Sequence, residues 1–364
     1  MKKRKLKKPA IMLTIIIFLV GLGIGFYFYS LTPVDKSDDK KVVFTINEGS
    51  GFKEIIDNLK KSGLIRSNIT GYVYTQVSGV SLKAGSFELS KNMTTGEIID
   101  KIASGRKIAD VVATFVEGRR ITSYIYLISE KFGYTEADIK GVINNTDFLN
   151  ELIENYWFLT DEILKEGIYY PLEGYLFPDT YQFDHDATIE EIVIKMLNNT
   201  AKKLEPYIDN INDSQYSVHQ ILSMAAIIEL EANYPDDRKD VSQVVHNRLA
   251  ANMSLGMDVT TAYALQKEIS QITRAEYFTV NPYNTRNPYM PGLPIGPICN
   301  SSIISVDAVF NPTKGKYLYF YADIKTGEVF FAETNEEFRN IIKKVGWWVN
   351  ETNYIGYGRI CPGV

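Results

Sequence analysis

The order of hydrophobic and polar positions divides the chain into three stretches. Residues 9–34 carry no charge, and residues 10–29 are dominated by Ile, Leu, Val and Phe. About 20 apolar residues are what a helix needs to cross the hydrocarbon layer of a bilayer. In residues 42–108 the period changes every few positions. A strand is predicted at 42–46, then a helix carrying Phe52, Ile55, Ile56 and Leu59 on one face, a second helix at 68–78 and an alternating strand at 82–89. Thr94 followed three positions later by Glu97 predicts a capping box that opens a helix over 95–103. Strand, acid-glycine turn and helix recur at 112–132, with Glu117-Gly118 at the turn. This suggests either a duplicated βα unit or a common way of turning from strand to helix.

The third stretch is longer. Helices are predicted over 135–161, 188–208, 218–232 and 236–250, the third opened by a capping box of Ser217 and Gln220. A hairpin of 317–321 with 328–332 and a helix over 336–345 close it. The fold class expected is α+β with a single N-terminal transmembrane helix. The expected order is a basic cytoplasmic tail (1–9), a transmembrane helix (10–30), a linker (31–41), a small module (42–108), a larger domain (109–345) and a C-terminal tail of unknown role (346–364). A chain of 364 residues is long enough for such a division.

Charge sharpens this picture. Lys2, Lys3, Arg4, Lys5, Lys7 and Lys8 place six of the 39 basic residues ahead of the apolar run, and the other 33 stand against 44 acids. The basic flank is expected to stay in the cytoplasm and the body to face out, with Tyr27 and Tyr29 at the interface. A retained anchor is favoured over a cleaved signal peptide, because no small-x-small site follows the run. An acidic body argues against nucleic-acid binding. Cys299 and Cys361 with three scattered histidines give no metal-ligand spacing, so neither a metal nor a cofactor is expected. Phosphate-binding loops and Ser or Cys nucleophile motifs are missing from the sequence as well.

The candidate chemistry lies in the helix over 218–232. Ile221, Met224, Ala225, Ile228 and Ala232 share a face, Ile227 and Leu230 make the other face apolar, and Glu229 and Glu231 fall on opposite flanks. At least one carboxyl therefore enters a medium where it needs a partner or keeps its proton. A structural alternative pairs it with Arg238 or Arg248. Periodicity does not choose between the two acids. Three polar clusters accompany this helix: Glu173 to Tyr181 with Gly174 and Pro178, Asn247-Arg248 with Asp258 and Thr260, and Tyr283-Asn284-Thr285 with the Gly/Pro-rich loop 292–297.

The run Leu172-Glu-Gly-Tyr-Leu-Phe-Pro-Asp-Thr-Tyr181, then Met224-Ala-Ala-Ile-Ile-Glu-Leu-Glu231, Asn247-Arg-Leu249, Asp258 with Thr260, Tyr283-Asn-Thr285 and Gly292-Leu-Pro-Ile-Gly-Pro297 resembles the endolytic murein transglycosylases, the YceG-like family. Ala84-Gly-Ser-Phe-Glu-Leu89 and Phe115-Val-Glu-Gly118 fit the same pattern. Ala226 departs from the family's usual Ser, and Val259 from its usual Pro. The resemblance implies a LysM-like module ahead of a catalytic domain. It also implies a membrane-bound lyase that cuts peptidoglycan glycan strands between MurNAc and GlcNAc, leaves 1,6-anhydro ends and needs no cofactor.

The resemblance puts the catalytic acid at Glu231 and implies a groove lined by Glu173, Tyr175, Asn247, Asp258, Thr260, Tyr283 and Asn284. It makes glycan strands the partner, with peptidoglycan synthases as a further one. The alternatives are a non-catalytic wall-binding scaffold and a muramidase that releases reducing ends.

Overall fold

The computed structural model describes residues 8–105, 110–232, 234–287, 291–323, 326, 328–344 and 358–360. The chain divides into two compact units, one of residues 1–111 with 184–186, the other of residues 112–183 with 187–364.

The first unit begins with α1 (Lys8–Leu31). Its span Met12–Leu31 has a mean hydropathy of 2.2 and none of it is buried in protein, so it is long and apolar enough to cross a membrane. Next come β1 (Val42–Ile46), α2 (Phe52–Lys61), α3 (Asn68–Ser78), β2 (Gly85–Leu89) and α4 (Thr95–Ser104). β1 and β2 pair antiparallel, with Phe44 opposite Phe87. Ile55, Ile56 and Leu59 of α2 and Ile98, Ile99 and Ile102 of α4 close over them as a single core. The expected capping box is present: Thr94 Oγ1 accepts from the Glu97 N–H at 3.1 Å, and the Thr94 N–H donates back to Glu97 at 2.7 Å.

The stretch expected to be a linker is tied to this unit. The Arg66 guanidinium donates to the Pro33 and Val34 carbonyls and lies over the Tyr29 ring, and the Asp35 N–H donates to the Lys91 carbonyl. Bound ends of this kind cost a loop its freedom and fix the exit of the apolar helix.

The second unit contains β3 (Val111–Thr114, its first residue in the other unit), α5 (Ile121–Phe132), α6 (Glu136–Ile143), α7 (Thr146–Asn155), β4 (Thr180–Phe183), α8 (Ile189–Leu204) and α9 (Ile208–Asn212). It goes on with α10 (Val218–Glu231), α11 (Arg238–Ala250), α12 (Asp258–Leu265) and α13 (Ile303–Phe310), and ends with β5 (Tyr319–Asp323), β6 (Val329–Ala332), α14 (Asn335–Lys344) and β7 (Gly358–Ile360). The helical stretch expected over 135–161 is two helices, broken where Asn145 caps α7 by accepting from the Phe148 N–H.

The echo of strand, turn and helix at 112–132 is real as local structure. Its strand, however, pairs with β4 in a separate two-stranded sheet, so it is a shared turning device rather than an added copy of the module. The expected hairpin is β5 and β6, with Phe320 opposite Phe331. β7 pairs with the other edge of β5, inside the tail in which the sequence shows no period.

Three helices escaped the periodic reading, the five-residue α9 and the longer α12 and α13. α12 is buried almost throughout and α13 is apolar on several sides, so neither has the polar face that gives a 3.6-residue period. α10 is the central element and packs against α11, α12 and α13.

Candidate active site

α10 forms because Ser217 and Gln220 cap its start reciprocally. Its interior is apolar on every side, with Ile221, Met224, Ala225, Ala226, Ile227 and Ile228 fully buried. It stops at Glu231, since Ala232 is already extended, with φ −86° and ψ 120°, and Pro235 follows. Both acids therefore sit in its last turn.

Their fates differ. Glu229 Oε1 lies 2.7 Å from Nη2 of Arg238. Glu229 Oε2 accepts from the Ser302 N–H at 2.9 Å, the Ser302 hydroxyl at 2.6 Å and the Ser305 hydroxyl at 2.8 Å. That carboxylate is consumed in joining α10 to α11 and to the start of α13. Glu231 is 2% exposed. Of the two expected structural partners, Arg238 takes Glu229. Arg248 is wholly buried and donates to the Leu318, Ser254 and Leu255 carbonyls.

The loop that leads into α13 runs along α10 in register with it. His219 Nε2 meets the Ile295 carbonyl at 2.8 Å, the Cys299 thiol meets the Ala226 carbonyl at 3.6 Å, and Ser302 meets Glu229. A carbonyl only accepts, so His219 carries its proton on Nε2, and Nδ1 receives the Tyr175 hydroxyl at 2.8 Å. Burial holds this imidazole below its usual pKa, in keeping with the neutral tautomer. Cys299 is a buried free thiol, pushed well up by burial. Cys361 lies outside the described residues.

A second buried carboxyl belongs to Glu173, 1% exposed. Its Oε1 accepts from the Ile121 N–H at 2.9 Å and its Oε2 from the Tyr263 hydroxyl at 3.1 Å. Burial pushes its pKa up to about 8, against the pull of these donors and of the Arg120 charge. Asn300 completes the bracket. Its Oδ1 accepts from the Gly174 and Leu176 N–H groups at 3.0 and 3.2 Å, and its Nδ2 donates to the Arg119 carbonyl at 3.3 Å. Gly174 is in the left-handed region at φ +84°, and a Cβ there would stand 2.3 Å from Pro297 Cβ, so only glycine fits this crossing.

The other expected site residues are placed as follows. Tyr283 is buried and its hydroxyl accepts from the Tyr169 N–H at 3.3 Å. The Thr260 hydroxyl donates to the Met257 carbonyl at 2.7 Å and shares a 2.8 Å hydrogen bond with Thr285. Asn284 accepts from the Thr261 hydroxyl at 2.7 Å and donates to the Tyr277 and Thr279 carbonyls. Asp258, at the start of α12, accepts from Arg286 Nε at 2.5 Å. Asn247, partly exposed on α11, donates to the Gly315 and Tyr317 carbonyls.

The expected residues thus fall into two braces, Glu173 and Tyr175 under the start of α5 and α10, and Asp258, Thr260, Tyr283 and Asn284 between α12 and the loop after it. Asn247 belongs to neither. Sequence reading missed Tyr263, His219, Ser302, Ser305 and Asn300. Each acts through a partner more than 40 positions away, and no local pattern marks it.

With this geometry in view, likeness to known proteins is informative. A protein-family model described as the YceG-like family matches residues 44–344. A Bacillus subtilis (strain 168) protein named endolytic murein transglycosylase is 34% identical over 310 residues, covering 84% of this chain and 85% of its own length. A protein of the same name from Streptococcus pneumoniae serotype 2 (strain D39) is 30% identical over 370 residues, covering 94% of this chain and 66% of its own length. A crystal structure of a yceG-like protein from Listeria monocytogenes is 34% identical, with a TM-score of 0.61, and the match covers 83% of this chain and 99% of that one. The acid-bearing helix, its two braces and the segments that carry them lie within the matched residues, and the chain belongs to the YceG-like family.

Proposed function

We propose that this protein is an endolytic murein transglycosylase that cuts the bond between MurNAc and GlcNAc within a glycan strand. The observation that carries the reading is the setting of Glu231, 2% exposed in the last turn of a helix that is apolar on every side. Its neighbour Glu229 is bound to a guanidinium and three further donors. Burial and the negative pole at the C-terminal end of a helix both favour a protonated carboxyl. Such a group is a proton donor near neutral pH.

In this reading Glu231 gives its proton to the bridging oxygen, which leaves with GlcNAc as a hydroxyl. Positive character develops at C1 of MurNAc. The MurNAc 6-hydroxyl forms the new bond to C1 and returns its proton to the Glu231 carboxylate. The product is a 1,6-anhydro ring, and one carboxyl suffices, where glycoside hydrolases ordinarily use two. Glu173, Tyr175, Asp258, Thr260, Tyr283 and Asn284 hold the walls of the groove from within, and Asn247 ties α11 to the segment before β5.

The strand, two helices and strand of the first unit support a LysM-like module that holds glycan. The apolar helix supports a single-pass anchor with the basic end in the cytoplasm and both units outside, near the synthases that make new strands. The test is Glu231→Gln on uncrosslinked strands, with anhydro ends counted by mass spectrometry. A loss of roughly 10²-fold or more is expected. Full activity in the variant refutes the reading. New reducing ends from the unaltered protein would make it a muramidase, and binding without cleavage a scaffold.

A further inference from the structure

We propose that Arg119 is a subsite beside Glu231 for an anionic group of the substrate, the carboxylate of a peptide stem. The inference rests on the transglycosylase reading above and extends it to the part of murein that is not sugar.

The loop between β3 and α5 reaches the end of α10. Gly118 lies at φ +71°, and a Cβ there would stand 3.7 Å from Glu229 Cγ and from Leu230 Cδ2, the two residues that precede Glu231. The loop is fixed in this place through its backbone. The Gly118 N–H donates to the Asn300 carbonyl at 2.8 Å, and the Arg119 carbonyl accepts from the Asn300 N–H at 3.0 Å and from its Nδ2 at 3.3 Å.

The two arginines of the loop are used differently. Arg120 lies over the Tyr263 ring, 5.1 Å from its centroid, and its charge acts on buried Glu173. Arg119 is exposed, and among the described residues its guanidinium joins no ion pair and no hydrogen bond. Glu117 is exposed on the same turn, and among the described residues no ion pair joins it to Arg119.

A guanidinium held by a hydrogen-bonded backbone, with its five donors unspent, is matched to a carboxylate or a phosphate. In peptide-bearing murein the lactyl carboxyl of each MurNAc is tied up in the amide to its stem, so the sugars are uncharged along the strand. Anions enter as carboxylates on the peptide stems, or as the pyrophosphate of a strand still joined to its lipid carrier. Peptide stems recur along the strand, next to the MurNAc at which an endolytic enzyme must cut, so they fit a receptor beside the acid.

The test compares the full-length protein with Arg119→Gln and Arg119→Lys on three substrates: peptide-bearing strands, the same strands with their stem carboxylates converted to neutral amides, and amidated strands still carrying the lipid pyrophosphate. The ratio of kcat/KM for peptide-bearing over amidated strands is expected to fall about tenfold in Arg119→Gln, through KM, and to be largely kept in Arg119→Lys, since a charge-assisted hydrogen bond is worth on that order. A ratio equal to that of the unaltered protein overturns the subsite. A loss confined to the lipid-linked strands assigns the anion to the pyrophosphate and overturns the peptide assignment. Failure of the unaltered protein to form anhydro ends overturns the function itself, whereas activity with an unmoved ratio overturns only the subsite.

Discussion

Arg238 Nη2 and Glu229 Oε1 are 2.7 Å apart, with both side chains nearly sealed from solvent, at 11% and 5% exposure. This pair makes Glu229 a structural acid of α10. Breaking a buried ion pair by removing one partner leaves a charge without compensation, at a cost of about 3 kcal/mol or more. Glu229→Gln keeps the shape and loses the charge. It is expected to lower the free energy of unfolding by that amount, and the urea midpoint with it. Glu231→Gln is expected to leave the midpoint close to the unaltered protein's while removing activity. A stable, inactive Glu229→Gln together with an unstable Glu231→Gln would reverse the assignment.

Glu173 gives a pH dependence with a definite sign. In the folded chain burial raises its pKa from the ordinary 4.5 to about 8. Between these values the folded form holds a proton that the unfolded form has lost, so stability falls as pH rises. The slope reaches at most roughly 1.4 kcal/mol per pH unit from this group. The contribution is full below the unfolded value and is lost by the time the folded value is passed. Glu173→Gln is neutral throughout and is expected to flatten the stability curve across this window in urea titrations at several pH values. An unchanged slope would mean that Glu173 is ionised in the folded chain.

Asn300 supplies both an acceptor and a donor to buried groups, and this makes it hard to replace. In Asn300→Ala the Gly174 and Leu176 N–H groups lose their acceptor, at about 1–3 kcal/mol for each group left unsatisfied. Asn300→Asp restores that acceptor. It also replaces the Nδ2 that lies 3.4 Å from Glu173 Oε1 with an oxygen, so one of the two acids must hold a proton there. Asn300→Asp is therefore expected to be stabilised by acid more strongly than the unaltered protein, with thermal melts at low and neutral pH as the measure. A pH response identical to that of Asn300→Ala would count against this geometry.

Much of this protein is determined locally. The apolar run of α1, the Thr94–Glu97 and Ser217–Gln220 caps, the β5–β6 hairpin and the apolar nature of α10 all follow from neighbours within a few positions, where period and capping act. So does the burial of an acid on α10, because a helix apolar on all sides has no wet face to offer. Which acid serves which end did not follow from this. Glu229 and Glu231 flank the same stripe, and the distinction comes from Arg238, Ser302 and Ser305, brought up by α11 and α13.

The same holds for the buried helix α12, which has no polar face to show, for β7, which is recognisable only beside β5, and for Asn300, whose partners lie at positions 118, 119, 174 and 176. Local free energies are written in short sequence patterns. The satisfaction of a buried charge is a property of whichever distant groups the folded chain brings to it, and only the tertiary structure specifies those.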